Sequence, residues 1–343
     1  MGLTKELNID TGKLKHGNLN LISDVEGIKV GHCTLASGDI QTGVTAIIPR
    51  EENIFKKKLL AATHVINGFG KSIGLMQINE LGTLETPIIL TNTLSVGTAA
   101  SALVEYMLEQ NPSIGETTGT VNPLVCECND MKLNNIRSLS IKNSDVFEAI
   151  KDSKKVFEEG SVGAGRGMRC HGLKGGIGSS SRIFEIDENE YTLGTLVLTN
   201  HGRYEDLIIN GQNLSEKYMV QSINEPDKGS VIVIIATDVP LNERQLLRIS
   251  KRAIVGLCKT GSFVSNGSGE LVISFSTANT ILHETKEIID IKRISDDLID
   301  IVFQAVSESV YESVLSSLFN SETVTGRNGY TCYAIEDILS KIF

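Results

Sequence analysis

Residues 229–238 read GSVIVIIATD, and they predict the central strand of the protein. Every residue from Val231 to Ala236 is apolar, and most of them are β-branched. An unbroken apolar run of this length, bounded by turn formers, is typical of a strand that is covered on both faces. Residues 203–229 before it are polar and rich in turn formers, which predicts an exposed linker. A loop therefore leads directly into an interior strand.

The rest of the chain alternates short apolar runs with amphipathic stretches. Short apolar runs rich in β-branched residues and bounded by turn formers predict strands at residues 27–32, 43–49, 181–186, 191–200 and 270–277. Helical spacing predicts helices at residues 95–109, 144–159, 242–259 and 295–320. Ser95 is expected to cap the first helix, and Val146, Ile150 and Val156 are expected to face inward from the second. Two β layers between helices bury these runs most simply, so we expect an α/β protein with an αββα sandwich, in one domain over residues 1–343.

The composition excludes several kinds of function. The chain has 343 residues, of which 41% are hydrophobic and 22% charged, as in a globular protein with a large core. Its net charge is -10 and its basic residues are scattered, whereas nucleic-acid binding needs a concentrated basic surface. No apolar run reaches the roughly 18 to 20 residues of a membrane helix, and the first residues, MGLTKELNIDTGKLKHG, lack the apolar centre of a signal peptide. We therefore expect a cytoplasmic protein with neither a nucleic-acid nor a membrane partner.

The spacing of cysteines and histidines does not predict a metal centre. Among six cysteines there is one close pair, Cys126 and Cys128. Residues two apart on a strand share a face, where buried free cysteines are common, and a zinc site would need further ligands nearby. The six histidines show no HxxxH or HxH spacing. We expect no metal and no cofactor.

Gly229 and Ser230 offer a specific chemistry at the head of the interior strand. A serine hydroxyl needs a base to become a nucleophile. If the bond before Ser230 is cut, the new α-amino group, with an ordinary pKa of about 7.7 to 8.0, lies on the same residue as the hydroxyl. Gly229 suits the cut, because without a Cβ it accepts strained backbone angles and leaves its carbonyl accessible to an N-to-O acyl shift. On these residues alone, an ordinary Gly-Ser turn before a strand remains the alternative.

Longer blocks of sequence favour self-cleavage at Gly229–Ser230 over an ordinary turn. The segment GSVIVIIATDVPLNERQLLRISKRAIVGL resembles the self-cleavage region of the family that contains L-aminopeptidase/D-esterases and β-peptidyl aminopeptidases. GIKVGHCTL, TGVTAIIPR, HVINGFGKSIGLMQINELGTLETPIILTNTLSVGTA, SVGAGRGMRCHGLKGGIGSSSR and NGSGELVISFSTAN also resemble that family's blocks, in the same order. The resemblance runs from about residue 20 to the end. It implies self-cleavage into chains 1–229 and 230–343, a homotetramer, and catalysis without a metal.

The resemblance also implies roles for individual residues. Ser230 matches the nucleophile, and Ser268 and Glu270 match side chains that orient its hydroxyl and hold its amine. Asn200 matches an asparagine that donates a hydrogen bond to the oxyanion, a contribution worth about 2.7 to 4 kcal/mol in the barrier. Because the α-amine already supplies the base, we interpret the neighbouring His201 as structural.

The block at residues 127–135 departs from the family. Lys132 occupies the place where the family commonly has an oxyanion-assisting tyrosine, and Met131 replaces a usual glycine. Lys132 would either stabilise the oxyanion as a cation or point to solvent and leave a weaker oxyanion site. Glu127 in the same block matches an acidic residue that binds the free amino group of the substrate.

The sequence therefore predicts a self-processing serine aminopeptidase that acts on short peptides, amino-acid amides or esters. Two alternatives stay open. One is a self-processing acyltransferase of similar fold, which would pass the acyl group to an amine instead of water. The other is an inactive binding module that keeps the sandwich; intact Ser230, Ser268, Glu270 and Asn200 argue against it, and Lys132 argues for it.

Overall fold

Two β-sheets packed face to face form the centre of the molecule. The computed structural model describes residues 9–217 and 229–339. Its strands, numbered in chain order, are β1 (Lys29–Ser37), β2 (Ile40–Ile48), β3 (Lys57–Gly68), β4 (Thr83–Leu84), β5 (Ile88–Asn92), β6 (Leu124–Cys128), β7 (Arg169–Cys170), β8 (Leu173–Lys174), β9 (Ile177–Ile186), β10 (Asn189–Asn200), β11 (Ile208–Ile209), β12 (Gln212–Asn213), β13 (Ser230–Thr237), β14 (Gly269–Leu282), β15 (Val324–Thr325) and β16 (Thr331–Cys332). One sheet has the order β1-β2-β5-β6 and the other β4-β3-β14-β13-β10-β9. The remaining strands form two-stranded ribbons.

Helices cover the outer face of each sheet. They are α1 (Leu75–Leu81), α2 (Val96–Gln110), α3 (Asn143–Lys151), α4 (Leu214–Lys217), α5 (Glu243–Ser250), α6 (Ala253–Lys259), α7 (Asp300–Phe319) and α8 (Ile335–Leu339). Helices α2 and α3 pack on the four-stranded sheet, whereas α5 and α7 pack on the six-stranded sheet, and β6 of the first sheet faces β13 and β10 of the second. The layers therefore follow the order helix, sheet, sheet, helix, as the sequence predicts.

The apolar run at residues 231–236 lies in β13, and all eight residues of this strand are buried. The strand lies inside the six-stranded sheet, antiparallel to β10 and parallel to β14. Its alternate side chains enter two different cores. Ile232 and Ile234 lie in the core between the sheets, whereas Val231 and Val233 lie in the core beneath α5, α6 and α7. This double coverage explains why the strand has no polar face.

The helix predicted at residues 144–159 is shorter in the structure and ends at Lys151. Val146 and Ile150 are buried as predicted, but the prediction for Val156 is wrong, because its side chain is 62% exposed. The backbone beyond the helix leaves the helical path and pairs with the edge of β1, where Lys154 and Val30 exchange hydrogen bonds of 3.0 and 3.1 Å. A tertiary backbone contact therefore overrides the local helical pattern.

One helix cap and the continuity of one helix also differ from the sequence prediction. Ser95 makes no side-chain cap; instead, Asn92 accepts a hydrogen bond of 3.1 Å from the backbone N–H of Ser95. The helix predicted at residues 242–259 is broken into α5 and α6. Ser250, at the break, donates its hydroxyl to the carbonyl of Leu246 at 3.0 Å, a local bond that competes with the regular helical ladder.

The linker predicted at residues 203–229 contains short elements, namely a 3-10 turn at Tyr204–Asp206, the β11–β12 ribbon and α4. Residues 218–228 of that prediction lie outside the described residues. None of the helices within residues 9–217 and 229–339 combines the length and apolar character needed to cross a bilayer.

Candidate active site

The hydroxyl of Ser230 lies against the peptide bond that precedes it. Ser230 begins β13 and is 5% exposed. Its Oγ donates to the carbonyl oxygen of Gly229 at 2.8 Å. The same oxygen accepts the backbone N–H of Gly269 from β14 at 3.1 Å. Two donors therefore converge on the carbonyl of the bond predicted to be cut.

Two glycines make this close approach possible. A Cβ on Gly229 would lie 1.7 Å from the carbonyl oxygen of Asn200, so no other residue fits there without moving the backbone. A Cβ on Gly269 would lie 2.7 Å from the carbonyl oxygen of Phe69 and 3.0 Å from Ser230 Oγ. The site thus depends on β10, β13 and β14 meeting without side chains at these two positions.

Asn200, the last residue of β10, lies directly opposite Ser230 in the antiparallel register. Its Oδ1 accepts the backbone N–H of Arg169 at 3.0 Å, and its Nδ2 donates to the carbonyl of Asn129 at 3.0 Å. These two bonds fix the orientation of the amide. Because an amide nitrogen carries two hydrogens, Asn200 retains the capacity for a second donation, as an oxyanion donor requires.

Ser268 and Glu270 flank Gly269 at the start of β14. Both are buried, and the Ser268 hydroxyl donates to Oε1 of Glu270. Glu270 pairs in register with Val231, the residue after the nucleophile. The structure therefore places this buried serine and carboxylate beside the head of β13.

Asn67, near the end of β3, holds the turn that carries Ser268. Its Nδ2 donates to the carbonyl of Ser265 at 3.1 Å and also to the carbonyl of Ser268. This positioning role is not predicted from the sequence. The sequence feature that could have indicated this role is the asparagine in the strand-like run HVINGFG. Asparagine is depleted from strand interiors, so one found there often makes a specific hydrogen bond.

Glu127 lies on β6, the strand of the four-stranded sheet that faces β13. It is 2% exposed, accepts the backbone N–H of Lys71 at 2.8 Å, and also accepts the hydroxyl of Thr93. It lines a cavity of about 70 Å³ together with Gly269 and Ile232. The other walls are mainly apolar, with Val65, Leu75 and Leu271. A buried carboxylate at one end and aliphatic walls beside it suit a substrate with a free ammonium group.

Lys132 is exposed in the turn that follows β6. It stands three residues beyond Asn129, whose carbonyl holds Asn200, and the neighbouring Met131 is also exposed.

His201 is buried, and its burial, with a smaller contribution from nearby His171, lowers its pKa from 6.5 to about 3. The imidazole is therefore neutral at physiological pH and a weak base, in agreement with its structural interpretation. Cys126 and Cys128 are buried free thiols, as predicted. Burial raises the pKa of Cys126 to about 12, so the thiol stays protonated.

A serine at the start of an interior strand of an αββα sandwich, with an asparagine opposite and a carboxylate beside it, is typical of the class of N-terminal-nucleophile hydrolases. The model of Peptidase family S58 matches residues 20–332, and the chain belongs to this family. The resemblance stated from the sequence is thereby confirmed, and the chain is a hydrolase of the aminopeptidase type.

Relatives of known structure or function extend this assignment over the full chain. The beta-peptidyl aminopeptidase BapA of Sphingosinicella microcystinivorans is 33% identical over 92% of this chain and 85% of that protein. The crystal structure of the PH0078 protein from Pyrococcus horikoshii OT3 is 51% identical and superposes with a TM-score of 0.93 over 99% of this chain and 98% of that chain. The L-aminopeptidase D-Ala-esterase/amidase from Ochrobactrum anthropi, described as a variant of the Ntn hydrolase fold, is 30% identical with a TM-score of 0.91, over 99% and 98%. The predicted fold class is confirmed.

Proposed function

We propose that the chain cuts its own Gly229–Ser230 bond and then acts as a serine aminopeptidase on small substrates. The observation that carries this proposal is the pair of donors on the Gly229 carbonyl, namely Ser230 Oγ at 2.8 Å and the Gly269 N–H at 3.1 Å. The nucleophile is thus already next to the carbonyl that it must attack. A backbone donor is also in place for the charge that develops on the carbonyl oxygen.

Self-cleavage would proceed by an N-to-O acyl shift. Ser230 Oγ bonds to the carbonyl carbon of Gly229, while the Gly269 N–H stabilises the negative charge on the carbonyl oxygen. The carbon–nitrogen bond then breaks, and the hydroxyl proton ends on the released nitrogen. Water hydrolyses the resulting ester, which leaves a carboxylate on Gly229 and a free amino group on Ser230. The products are chains 1–229 and 230–343.

The mature enzyme would use both groups of Ser230. Its α-amine takes the proton from Oγ, Oγ attacks the first peptide carbonyl of the substrate, and Asn200 Nδ2 donates to the oxyanion. Ser268 and Glu270 hold the hydroxyl and the amine. Protonation of the leaving amine and hydrolysis of the acyl enzyme by water complete the cycle, which uses neither a cofactor nor a metal.

The substrates in this proposal are short peptides, amino-acid amides and esters with a free amino group. The buried Glu127 carboxylate would bind the ammonium group, and the aliphatic walls of the adjacent cavity would contact the side chain. The similarity to a beta-peptidyl aminopeptidase and to an L-aminopeptidase D-Ala-esterase/amidase supports small amino-terminal substrates. We also propose that the single hydrolase domain assembles as a homotetramer in the cytoplasm, and light scattering of the purified protein tests the assembly.

Denaturing electrophoresis with Ser230→Ala tests the proposal. Wild-type protein should show two fragments, the smaller beginning Ser-Val-Ile-Val by amino-terminal sequencing. Ser230→Ala should remain one full-length, folded chain without peptidase activity, because both the attacking oxygen and the route to the free amine are lost. Ser262→Ala is the matched control: Ser262 is also buried, and its hydroxyl has no hydrogen-bond partner within residues 9–217 and 229–339. An uncut wild-type chain would instead favour the inactive binding module.

A further inference from the structure

A second cluster of reactive side chains lies behind the active site. Cys170, His171 and His201 each place one ligand atom within 4.8 Å of the other two. All three residues are buried, with exposures of 0%, 0% and 2%. His201 follows Asn200 directly, and successive strand residues point to opposite faces. The cluster therefore belongs to the helix-covered side of the six-stranded sheet, away from the cavity that Glu127 lines.

The backbone brings these residues together although they are distant in sequence. Cys170 ends β7, and His171 follows with a left-handed φ of 48°. The N–H of His171 donates to the carbonyl of His201 at 2.7 Å, which locks the β7 turn to the end of β10. The two imidazole rings meet edge to face, with centroids 5.4 Å apart. Gly202 makes room for this contact, because a Cβ there would lie 2.5 Å from the His171 ring.

The hydrogen bonding of His201 indicates that a ligand belongs in this cluster. Neither ring nitrogen of His201 has a hydrogen-bond partner within residues 9–217 and 229–339, although both nitrogens are inaccessible to solvent. Burying polar atoms without hydrogen-bond partners destabilises the folded state, so such atoms are rare in native proteins. A lone pair on a neutral imidazole is a good ligand for a transition metal.

His171 is oriented as metal-binding histidines usually are. Its Nδ1 lies 3.1 Å from the carbonyl oxygen of Arg203, and a carbonyl can only accept, so Nδ1 carries the hydrogen and Nε2 keeps its lone pair. A ring that donates its other N–H to a backbone carbonyl is the common arrangement around a protein-bound metal. The hydroxyl of Thr260 lies 3.2 Å from Nε2 and donates to the carbonyl of Leu257 at 2.7 Å.

We propose that Cys170, His171 and His201 form a structural zinc(II) site. One thiolate and two imidazoles would supply three of the four tetrahedral ligands of this ion, with zinc–sulfur and zinc–nitrogen distances of about 2.3 and 2.0–2.1 Å. Tetrahedral ligands at those distances lie about 3.4–3.7 Å from one another, so atoms that now lie up to 4.8 Å apart need to approach by up to about 1.4 Å. Binding releases the Cys170 thiol proton to solvent, and the ion replaces it as the partner of the sulfur.

The burial of the cluster determines how the site would behave. Because no ligand atom faces solvent, the ion would enter as the chain folds and would exchange slowly afterwards. Once bound, it would join the β7 turn to the end of β10, the strand whose last residue is Asn200. The site would therefore stabilise the structure and take no chemical step in peptide hydrolysis.

Metal analysis of the purified protein tests this site independently of activity. Wild-type protein produced in zinc-supplemented medium and purified without a chelating resin should contain about one zinc per chain by atomic mass spectrometry. Its X-ray absorption spectrum should show one sulfur and two imidazole nitrogens around the ion. Protein produced with cobalt(II) should show the visible bands of tetrahedral coordination and a thiolate charge-transfer band.

Variants assign the ligands. Cys170→Ser and His201→Gln should each lower the zinc content at least about tenfold, whereas Cys126→Ser, which removes a buried thiol elsewhere, should leave it unchanged. Wild-type protein without zinc would overturn the proposal and indicate that ordered water satisfies His201. Equal zinc contents in wild type and Cys170→Ser would overturn it as well. If either variant fails to fold, the absorption spectrum of the wild type decides alone, because a shell without sulfur contradicts the site.

Discussion

At the scale of single residues, the small space beside the Ser230 hydroxyl restricts position 269 to glycine. A Cβ added at Gly269 would lie 3.0 Å from Ser230 Oγ and 2.7 Å from the carbonyl oxygen of Phe69. A methyl group there must therefore displace either the nucleophile or the strand. The same residue supplies the N–H that holds the Gly229 carbonyl. The position of the Ser230 hydroxyl and the hydrogen bond to the Gly229 carbonyl both depend on the close packing that the absence of a side chain allows.

We therefore expect Gly269→Ala to slow self-cleavage by about tenfold or more, because small displacements of reacting atoms are costly. The measurement is the time course of fragment appearance on denaturing gels after refolding. Gly119→Ala is the control, since a Cβ at Gly119 would meet no atom within 4 Å. Cleavage of Gly269→Ala at the rate of the control would show that the present geometry is not the reactive one.

Residue identities also mark the limit of sequence analysis at this site. Ser230, Asn200, Ser268 and Glu270 are predicted because each belongs to a recognisable block, and the structure brings them together at the ends of three strands. Asn67 is missed, since its role consists of bonds to backbone carbonyls that no residue pattern encodes. The cluster around His201 is missed for a similar reason, because its members are joined by the β7 turn and not by regular spacing.

At the scale of elements, strands are predicted better than helix ends. The sequences of β10 and β13 predict strands by themselves, because continuous apolar runs rich in β-branched residues favour a buried strand over other structures. The end of α3 depends instead on Lys154 pairing with β1, a contact with a distant part of the chain. Such tertiary contacts are invisible to periodicity, so the sequence extends the helix too far.

Helix α7 is held to β9 and to the N-terminal segment by a buried ionic network. Arg182 on β9 contacts Glu308 at 3.2 Å and Glu312 at 2.7 Å, and His16 contacts Glu312 at 3.0 Å. Burial alone would raise the pKa of Glu312. The hydrogen bond from His16 and the charge of Arg182 outweigh burial and lower this pKa from 4.5 to about 2. Ionised Glu312 is therefore favoured in the folded state.

This shift predicts acid sensitivity that Glu312→Gln should reduce. Because the pKa of Glu312 is lower in the folded state, its contribution is present above pH 4.5 and is lost as the pH falls toward 2, by up to about 3 kcal/mol. Glu312→Gln should lower the free energy of unfolding at pH 7, since Arg182 loses a buried partner, and should unfold with a shallower pH dependence.

Urea denaturation at pH 7, 5, 4 and 3 measures this effect, with both proteins in the Ser230→Ala background so that a single chain unfolds. Asp152→Asn serves as the control, because its ion pair with Lys154 at 3.4 Å is solvent-exposed and should contribute little. Parallel pH profiles for Glu312→Gln and its parent would contradict the assignment of the acid sensitivity to Glu312.

At the scale of the whole molecule, the proposed cut divides the chain without dividing the sheet. In the order β4-β3-β14-β13-β10-β9, the two central strands β14 and β13 come from residues after the cut, and the strands on both sides come from residues before it. β13 pairs with β10 along its full length, and β14 pairs with β3. Separating the two chains would break both ladders and open both apolar cores.

We therefore expect chains 1–229 and 230–343 to stay associated after cleavage and to unfold together. They should elute together in size-exclusion chromatography, also in 1 M salt, because apolar burial and backbone hydrogen bonds are little affected by ionic screening. They should separate only in denaturant, in one transition seen alike by far-UV circular dichroism and by elution. Uncut Ser230→Ala is the control for the elution volume. Release of the smaller chain under native conditions would show that this sheet order does not survive the cut, because β13 is paired with β10 and β14, and β14 is paired with β13 and β3.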